Sequence, residues 1–188
     1  MSHSMLHTEQ EYVPRIAKRL GIETRILHHE SPTNTCDEKL DLLKQDHRYR
    51  DWTIDRIVKA LYFTNNGQPF IGVIIPESRT RIKQKNIFSK TLGISRTQAE
   101  DYYLNSQKVP KGMKVGTCTP FPLTSSIGTE IRSLIVVDVP GLRGKLVDIS
   151  IGGEDKESQM RSMHLPYEGI YEILKRQFKD KVHLYQTT

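Results

Sequence analysis

Residues 114–123 (KVGTCTPFPL) place Gly116 and Pro120 four positions apart, with a single thiol, Cys118, between them. A catalytic cysteine needs a histidine or a helix N-terminus to lower its pKa, and no histidine lies near Cys118 in the sequence. The thiol is therefore either a nucleophile activated from elsewhere in the fold or a small wall of the loop. Glycine and proline predict a stiff loop whose backbone N–H and C=O groups can hold a carbonyl, an oxyanion or a water.

A second candidate residue is Lys59, in the segment IVKALYF at 57–63. Side chains alternate between the two faces of a strand, so Lys59 shares a face with Ile57, Leu61 and Phe63. An ammonium in an apolar row is costly unless it pairs with an anion or reaches water. Lys59 is thus either a lysine near a strand end that extends to solvent or a cation that receives an anionic ligand such as a phosphate.

The positive charge is concentrated in the middle of the chain. The net charge is +6, and residues 78–129 contain nine bases but only two acids, while the rest of the chain is nearly balanced. Concentrated positive charge attracts phosphate, although a solvated basic face without a partner is the alternative. The candidate nucleic-acid contacts are Arg79, Arg81, Lys83, Lys85 and Lys114.

The sequence predicts neither a metal site nor a cofactor. Cys36 and Cys118 have no CxxC partner, and His28, His29 and His164 form no zinc-binding pattern. The longest apolar run, 70–75, is too short to cross a bilayer, and the N-terminus lacks the pattern of a secretory signal. We therefore expect a reduced, cytoplasmic protein without membrane contact.

The elements that must position these residues follow from hydrophobic periodicity, caps and turns. Helices are expected at 8–20, 36–47, 82–92, 95–104 and 166–178, and strands at 22–28, 57–64, 69–75, 134–139, 145–151 and 182–185. Asn65-Asn66-Gly67 predicts a hairpin turn between two of the strands. Strands and helices mix without a strict βαβ rhythm, which favours an α+β or mixed α/β domain around one sheet.

These segments, in this order, resemble the YbaK/ProX family of aminoacyl-tRNA deacylase domains, which is related to the editing domain of prolyl-tRNA synthetases. The resemblance runs from about Leu20 to the C-terminus and implies one mixed sheet flanked by helices. It divides the chain into a helical extension at 1–21 and a deacylase domain at 22–188. The segments that carry it are the helix from Thr35, the strand with Lys59, the GxxxP loop at 116–120, the LIVVD segment ending at Asp138 and DISIGG at 148–153. Residues 44–52 resemble an insertion, and Ile151 stands where the family often has a small residue.

The resemblance implies metal-free hydrolysis of the ester between a wrongly attached amino acid and the terminal adenosine of a tRNA, which serves translation fidelity. The loop backbone would orient the ester, and a ribose hydroxyl of the substrate or a water would assist. The implied catalytic residues are Lys59, Gly116 and Pro120, and the implied substrate-binding residues are Thr117, Cys118, Thr119, Asp138, Ser150 and Gly152. The basic residues listed above would bind the acceptor stem. The alternatives are a non-catalytic tRNA- or RNA-binding module and a synthetase-associated partner.

Overall fold

The protein is described by a computed structural model over residues 8–187; residues 1–7 of the predicted extension lie outside the described part. The helices are α1 (Tyr12–Leu20), α2 (Cys36–Lys44), α3 (Gln84–Leu92), α4 (Arg96–Glu100), α5 (Lys156–Gln159) and α6 (Tyr167–Phe178). The strands are β1 (Arg25–His28), β2 (Ile57–Thr64), β3 (Phe70–Pro76), β4 (Tyr103–Leu104), β5 (Ile131–Asp138), β6 (Leu146–Ser150), β7 (Arg161–Pro166) and β8 (Val182–Gln186).

All eight strands form one mixed sheet flanked by helices, as the sequence predicts. Its order is β1-β7-β6-β2-β3-β5-β8, and the short β4 also pairs with β2. The pairs β2·β6, β3·β5 and β5·β8 are parallel, whereas the other pairs are antiparallel. Strand β2 therefore has β3 along one edge and two successive neighbours, β6 and β4, along the other.

Local sequence signals explain the strand and helix ends. The turn between β2 and β3 has Asn66 and Gly67 at positive φ, which lets the two strands meet as the predicted hairpin. Helix α1 ends at Gly21 in the left-handed region, and the Ser95 capping box begins α4. Helix α4 is shorter than expected, because the chain leaves it after Glu100 to pair β4 with β2.

The main differences from the sequence prediction are β4, the short helix α5 and strand β7, none of which was expected. Strand β7 has polar Ser162 and His164 at positions that are buried in the structure. These polar residues interrupt the hydrophobic pattern of the strand. Their burial is favourable because Asp148 on β6 and His29 after β1 provide hydrogen-bond partners. The predicted helix over 36–47 instead ends at Lys44, and a 3₁₀ turn follows at His47–Tyr49.

Two apolar clusters hold the sheet and its helices together. The larger one includes the fully buried strand β3 and the buried faces of α1 and α6, where the Tyr12 and Phe178 rings meet edge to face with centroids 5.3 Å apart. The smaller cluster lies around α2 and contains Leu40, Leu43 and Ile57 together with aromatic residues of segment 44–52. The segment that resembles an insertion thus supplies core side chains to the helix beside it.

We predict that Gly72→Ala lowers the free energy of unfolding by ~1–3 kcal/mol, because a methyl group there overpacks the core. A Cβ at Gly72 would lie 2.7 Å from Leu134 Cδ2 and 2.8 Å from Tyr62 Cε1. Gly141→Ala is the matched control, since a Cβ there meets no atom within 4 Å. Urea unfolding of both variants measures the difference, and equal stabilities would contradict the packing argument.

Candidate functional site

A cavity opens where β2 parts from its neighbour β6. The two strands pair only at Ile57 with Asp148 and Val58 with Ile149, and β4 joins the same edge of β2 from Phe63 onward. Between these contacts, residues 59–62 have no strand partner along that edge within the described chain, so alternate residues direct backbone N–H and C=O groups into the gap. A cavity of about 370 Å³ lies there.

The lining of this cavity comes from four regions that are distant in sequence. Residues 57–62 of β2 contribute one side, and the start of α2 contributes another. The remaining lining residues are Leu104, Asn105, Ser106, Val109, Val115, Gly116, Thr117, Cys118, Ser150, Gln159 and Arg161. Apolar atoms form most of the cavity surface, although many of the lining residues also carry a polar group. A mostly apolar surface with polar groups among it is typical of small-ligand sites.

The Gly116–Pro120 loop borders the cavity with its backbone fixed from behind. The Tyr62 hydroxyl of β2 donates to the Thr119 carbonyl at 2.9 Å, and the Ser150 hydroxyl of β6 donates to the Thr117 carbonyl at 2.8 Å. Gly116 adopts φ 89°, the positive value that the sequence allowed for. Within residues 8–187, the N–H groups of Gly116 and Cys118 make no hydrogen bond. The loop thus presents preorganised donors at the cavity edge.

Both cysteines of the chain line the cavity, and both are protonated near neutral pH. Burial raises the pKa of the Cys118 thiol to about 12 and that of the Cys36 thiol to about 11. Cys118 Sγ lies 3.5 Å from the Lys114 carbonyl oxygen, and no histidine is among the lining residues. Neither thiol is activated as a nucleophile in this environment.

Lys59 lines the cavity, and its ammonium has a partner that the sequence did not indicate. Its Nζ lies 2.7 Å from Glu77 Oε2, and its side chain is 39% exposed. Partial burial lowers the pKa of Lys59, but hydrogen bonding and charge interactions with Glu77 and Cys36 outweigh it and raise the pKa. Lys59 is therefore a charged group beside the cavity that is partly neutralised by a carboxylate from the turn after β3.

A second lysine of the cavity, Lys39 of α2, is paired with a buried carboxylate. Its Nζ lies 2.6 Å from Oδ2 of Asp148, which is fully buried on β6. The other oxygen, Oδ1, accepts a hydrogen bond from Ser162 and lies 3.1 Å from His164 Nε2. Burial alone would raise the pKa of Asp148, yet Lys39 and His164 reverse this and lower it to about 2. This cluster fixes the start of α2 against β6 and β7.

The structure brings together five of the predicted site residues: Lys59, Gly116, Thr117, Cys118 and Ser150. Thr119 and Pro120 are buried and do not line the cavity. Gly152 packs against Thr119, since a Cβ at Gly152 would lie 2.8 Å from Thr119 Cγ2.

Asp138 is placed away from these residues. It ends β5, pairs with Arg143 and is not among the lining residues.

The predicted nucleic-acid contacts lie outside the cavity lining, and most are exposed. Arg79 and Arg81 follow β3, Lys83 precedes α3, and Lys114 precedes the loop. Lys85 differs from these four because it forms an ion pair with Glu100. The exposed bases therefore lie in two segments. One follows Glu77, the partner of Lys59, and the other precedes the Gly116 loop.

Several cavity residues escaped the sequence prediction, among them Cys36, Lys39, Gln159 and Arg161. The sequence feature that could have pointed to Cys36 and Lys39 is the helix cap at Thr35. Its Oγ1 accepts a hydrogen bond from Glu38 N at the start of α2. Gln159 and Arg161 belong to α5 and β7, which carried no recognisable pattern.

Within the described residues, no group of three or more His, Cys, Asp or Glu side chains is arranged to hold a metal ion. Among residues 8–187, no helix is long and apolar enough to cross a membrane.

Sequence comparison finds no matching protein-family model and no matching curated protein. Solved structures do share the fold. The hypothetical protein APE2540 aligns with a TM-score of 0.60 at 21% identity, over 93% of this chain and 98% of its own. A protein from work on computational grafting of linear epitopes onto scaffolds aligns with a TM-score of 0.52 at 12% identity, over 97% and 96%. A protein described as a candidate trans-editing enzyme for prolyl-tRNA synthetase aligns with a TM-score of 0.53 at 12% identity, over 89% and 92%. At these identities the likeness establishes the fold, which confirms the predicted mixed α/β class.

We predict that Lys39→Met lowers the free energy of unfolding by ~3–5 kcal/mol, because it leaves the buried Asp148 carboxylate without its cation. Lys44→Met, at the exposed end of the same helix, is the control and should change it by less than ~0.5 kcal/mol. The pKa of Asp148 is lowered on folding, so its contribution is present above the unfolded value of about 4 and is lost as pH falls towards about 2.

Without Lys39, the pKa of Asp148 rises and this loss begins at a higher pH. Urea unfolding between pH 7 and pH 3 measures both effects. Equal stability and equal pH dependence of the two variants would show that the ion pair does not hold α2.

Proposed function

We propose that the protein hydrolyses the ester of mischarged aminoacyl-tRNA, releasing the amino acid from the 3′-terminal ribose. The observation that carries this proposal is the Gly116–Pro120 loop beside a cavity of about 370 Å³. The N–H groups of Gly116 and Cys118, two residues that line this cavity, have no hydrogen-bond partner within residues 8–187. An aminoacyl ester is already activated, so positioning and stabilisation of the developing oxyanion suffice for its hydrolysis. The shared fold with a protein described as a candidate trans-editing enzyme supports the same assignment.

In the proposed reaction, a water oxygen attacks the ester carbonyl carbon, and the resulting oxyanion accepts hydrogen bonds from the N–H groups of Gly116 and Cys118. The bond between the carbonyl carbon and the ribose oxygen then breaks. The ribose oxygen takes up one proton, relayed from the attacking water through the neighbouring ribose hydroxyl. The second proton of that water passes to solvent, and the amino acid leaves as its carboxylate. Cys118 forms a wall of the site, since its thiol is protonated.

Lys59 has an electrostatic role in this proposal. Its ammonium is held beside the cavity by Glu77, so the pair supplies a fixed dipole without a full unbalanced charge. The exposed bases outside the cavity, at 79, 81, 83 and 114, are suited to the phosphates of the acceptor stem, while the cavity takes the unpaired 3′ end. Aminoacyl-tRNA is therefore the proposed partner, and an aminoacyl-tRNA synthetase is a further one.

We predict that Lys59→Ala lowers kcat/KM for deacylation by ~10–100-fold, the equivalent of losing one charge-assisted contact of about 1.5–3 kcal/mol. Deacylation is followed on tRNAs charged with a panel of small amino acids, with circular dichroism as the check on folding. Lys18→Ala on the exposed face of α1 is the control. A wild-type protein that binds tRNA but releases no amino acid from any of them would instead favour a non-catalytic RNA-binding module.

We predict that the loop backbone matters more for activity than the thiol. Gly116→Val should abolish deacylation, because a β-branched residue does not tolerate φ 89° even though a Cβ there meets open space. Cys118→Ser should keep activity within about tenfold of wild type, because a wall residue contributes only packing. An inactive Cys118→Ser beside an active Gly116→Val would reverse the roles of thiol and backbone.

A further inference from the structure

Two side-chain donors on one side of the cavity are buried without a hydrogen-bond partner in residues 8–187. They are Gln159 Nε2, at the end of α5, and Arg161 Nε, at the start of β7. Both residues line the cavity. A buried donor without an acceptor costs free energy, and it costs more when the donor is charged. Their position in a cavity lining therefore indicates a ligand that carries acceptors.

The surroundings of Arg161 hold its guanidinium in place. A terminal nitrogen pairs with Glu157, whose side chain is 66% exposed, while the Arg161 side chain itself is only 16% exposed. This pair engages one end of the guanidinium and leaves Nε on the buried side. On the neighbouring strand, Ser150 pairs in register with Ser162, so Arg161 follows directly beyond the end of β6. The same Ser150 donates to the carbonyl of Thr117 in the loop.

The chemistry of the two donors selects the kind of group that they can bind. Arg Nε and the Gln amide nitrogen donate hydrogen bonds and accept none, so they pair only with ligand groups that offer acceptor atoms, and an ammonium offers none. A phosphate presents several acceptor oxygens and a charge that complements the guanidinium. The Glu77 and Asp148 carboxylates are already paired with Lys59 and Lys39. The carboxylate beside Arg161 itself, that of Glu157, is also paired, with the Arg161 guanidinium. They therefore oppose the approach of an anion less than unpaired carboxylates would.

We propose that Gln159 and Arg161 form a phosphate subsite for the 5′-phosphate of the 3′-terminal nucleotide. This inference rests on the proposed function, in which the ester lies on the ribose of that same nucleotide. The terminal adenosine carries its ester and its 5′-phosphate on one sugar ring. A single small cavity can thus bind the ester at the loop and the phosphate at the α5–β7 junction. The subsite distinguishes a nucleotide from a nucleoside and fixes the direction in which the 3′ end enters.

The test compares the binding of adenosine 5′-monophosphate with that of adenosine by calorimetry at fixed ionic strength. The wild-type protein should bind the nucleotide about 10–100-fold more tightly, the ratio expected for a hydrogen bond to a charged group. Arg161→Met should reduce this ratio to less than about threefold and leave the affinity for adenosine unchanged. Gln159→Leu should reduce the ratio by a smaller factor and remains informative if Arg161→Met fails to fold.

Arg176→Met on the exposed side of α6 is the matched control, because it removes the same charge from a residue that does not line the cavity and should keep the wild-type ratio. A wild-type protein that binds both compounds equally, or neither at millimolar concentration, overturns the proposal. So does an Arg161→Met variant that keeps the full preference, since the phosphate would then bind at the exposed bases near residues 79–83.

Hydrolysis separates this inference from the proposed function. Aminoacyl-adenosine with and without a 5′-phosphate serves as substrate, and the phosphate should raise kcat/KM in wild type but not in Arg161→Met. If the wild-type protein hydrolyses neither ester yet shows the nucleotide preference, the deacylase assignment fails and the phosphate subsite stands. If it hydrolyses both esters equally and shows no nucleotide preference, the subsite fails and the deacylase assignment stands.

Discussion

The burial of one carboxylate, Asp148, is the constraint from which the site follows. A charged group at the centre of a sheet is tolerated only when cations and hydrogen-bond donors surround it, and here Lys39, Ser162 and His164 do so. Each of these partners belongs to a different element or strand position, so satisfying Asp148 joins α2, β6 and β7. The start of α2 is thereby held at the cavity, and β7 remains in the sheet despite its polar side chains.

The parting of β2 from β6 converts this arrangement into a binding site. From Lys59 to Tyr62, no strand of the described chain pairs with β2 along the edge that β6 and β4 share. The gap exposes strand backbone to a cavity, and the adjacent loop is fixed by Tyr62 and Ser150. Rigid elements thus present backbone donors, while the charged groups around them are largely paired. Such an arrangement favours chemistry by positioning and electrostatics.

Local patterns in the sequence predicted a large part of the fold, because their causes are local. The Asn66-Gly67 turn, the Ser95 capping box and the apolar run of β3 each depend on neighbouring residues alone. The Gly116 loop and Lys59 could be singled out for the same reason. What escaped prediction depends on distant partners: β7 is buried because of Asp148 on β6, and Lys59 is paired because the turn after β3 places Glu77 beside it. Arg161 and Gln159 are placed at the site by the pairing of β7 with β6, which sets Arg161 just beyond Ser150.

The chain order of the strands around β2 determines when the cavity can form. Strand β2 acquires β3 at once through the hairpin, but its other main neighbour, β6, and the β7 residues that complete the lining come much later in the chain. Loop closure over that separation must precede the pairing, so these contacts are slow to form relative to the hairpin. During synthesis on the ribosome, the β2 edge at residues 57–58 therefore stays unpaired until β6 emerges. A stalled or truncated product would retain this edge and be prone to association through it.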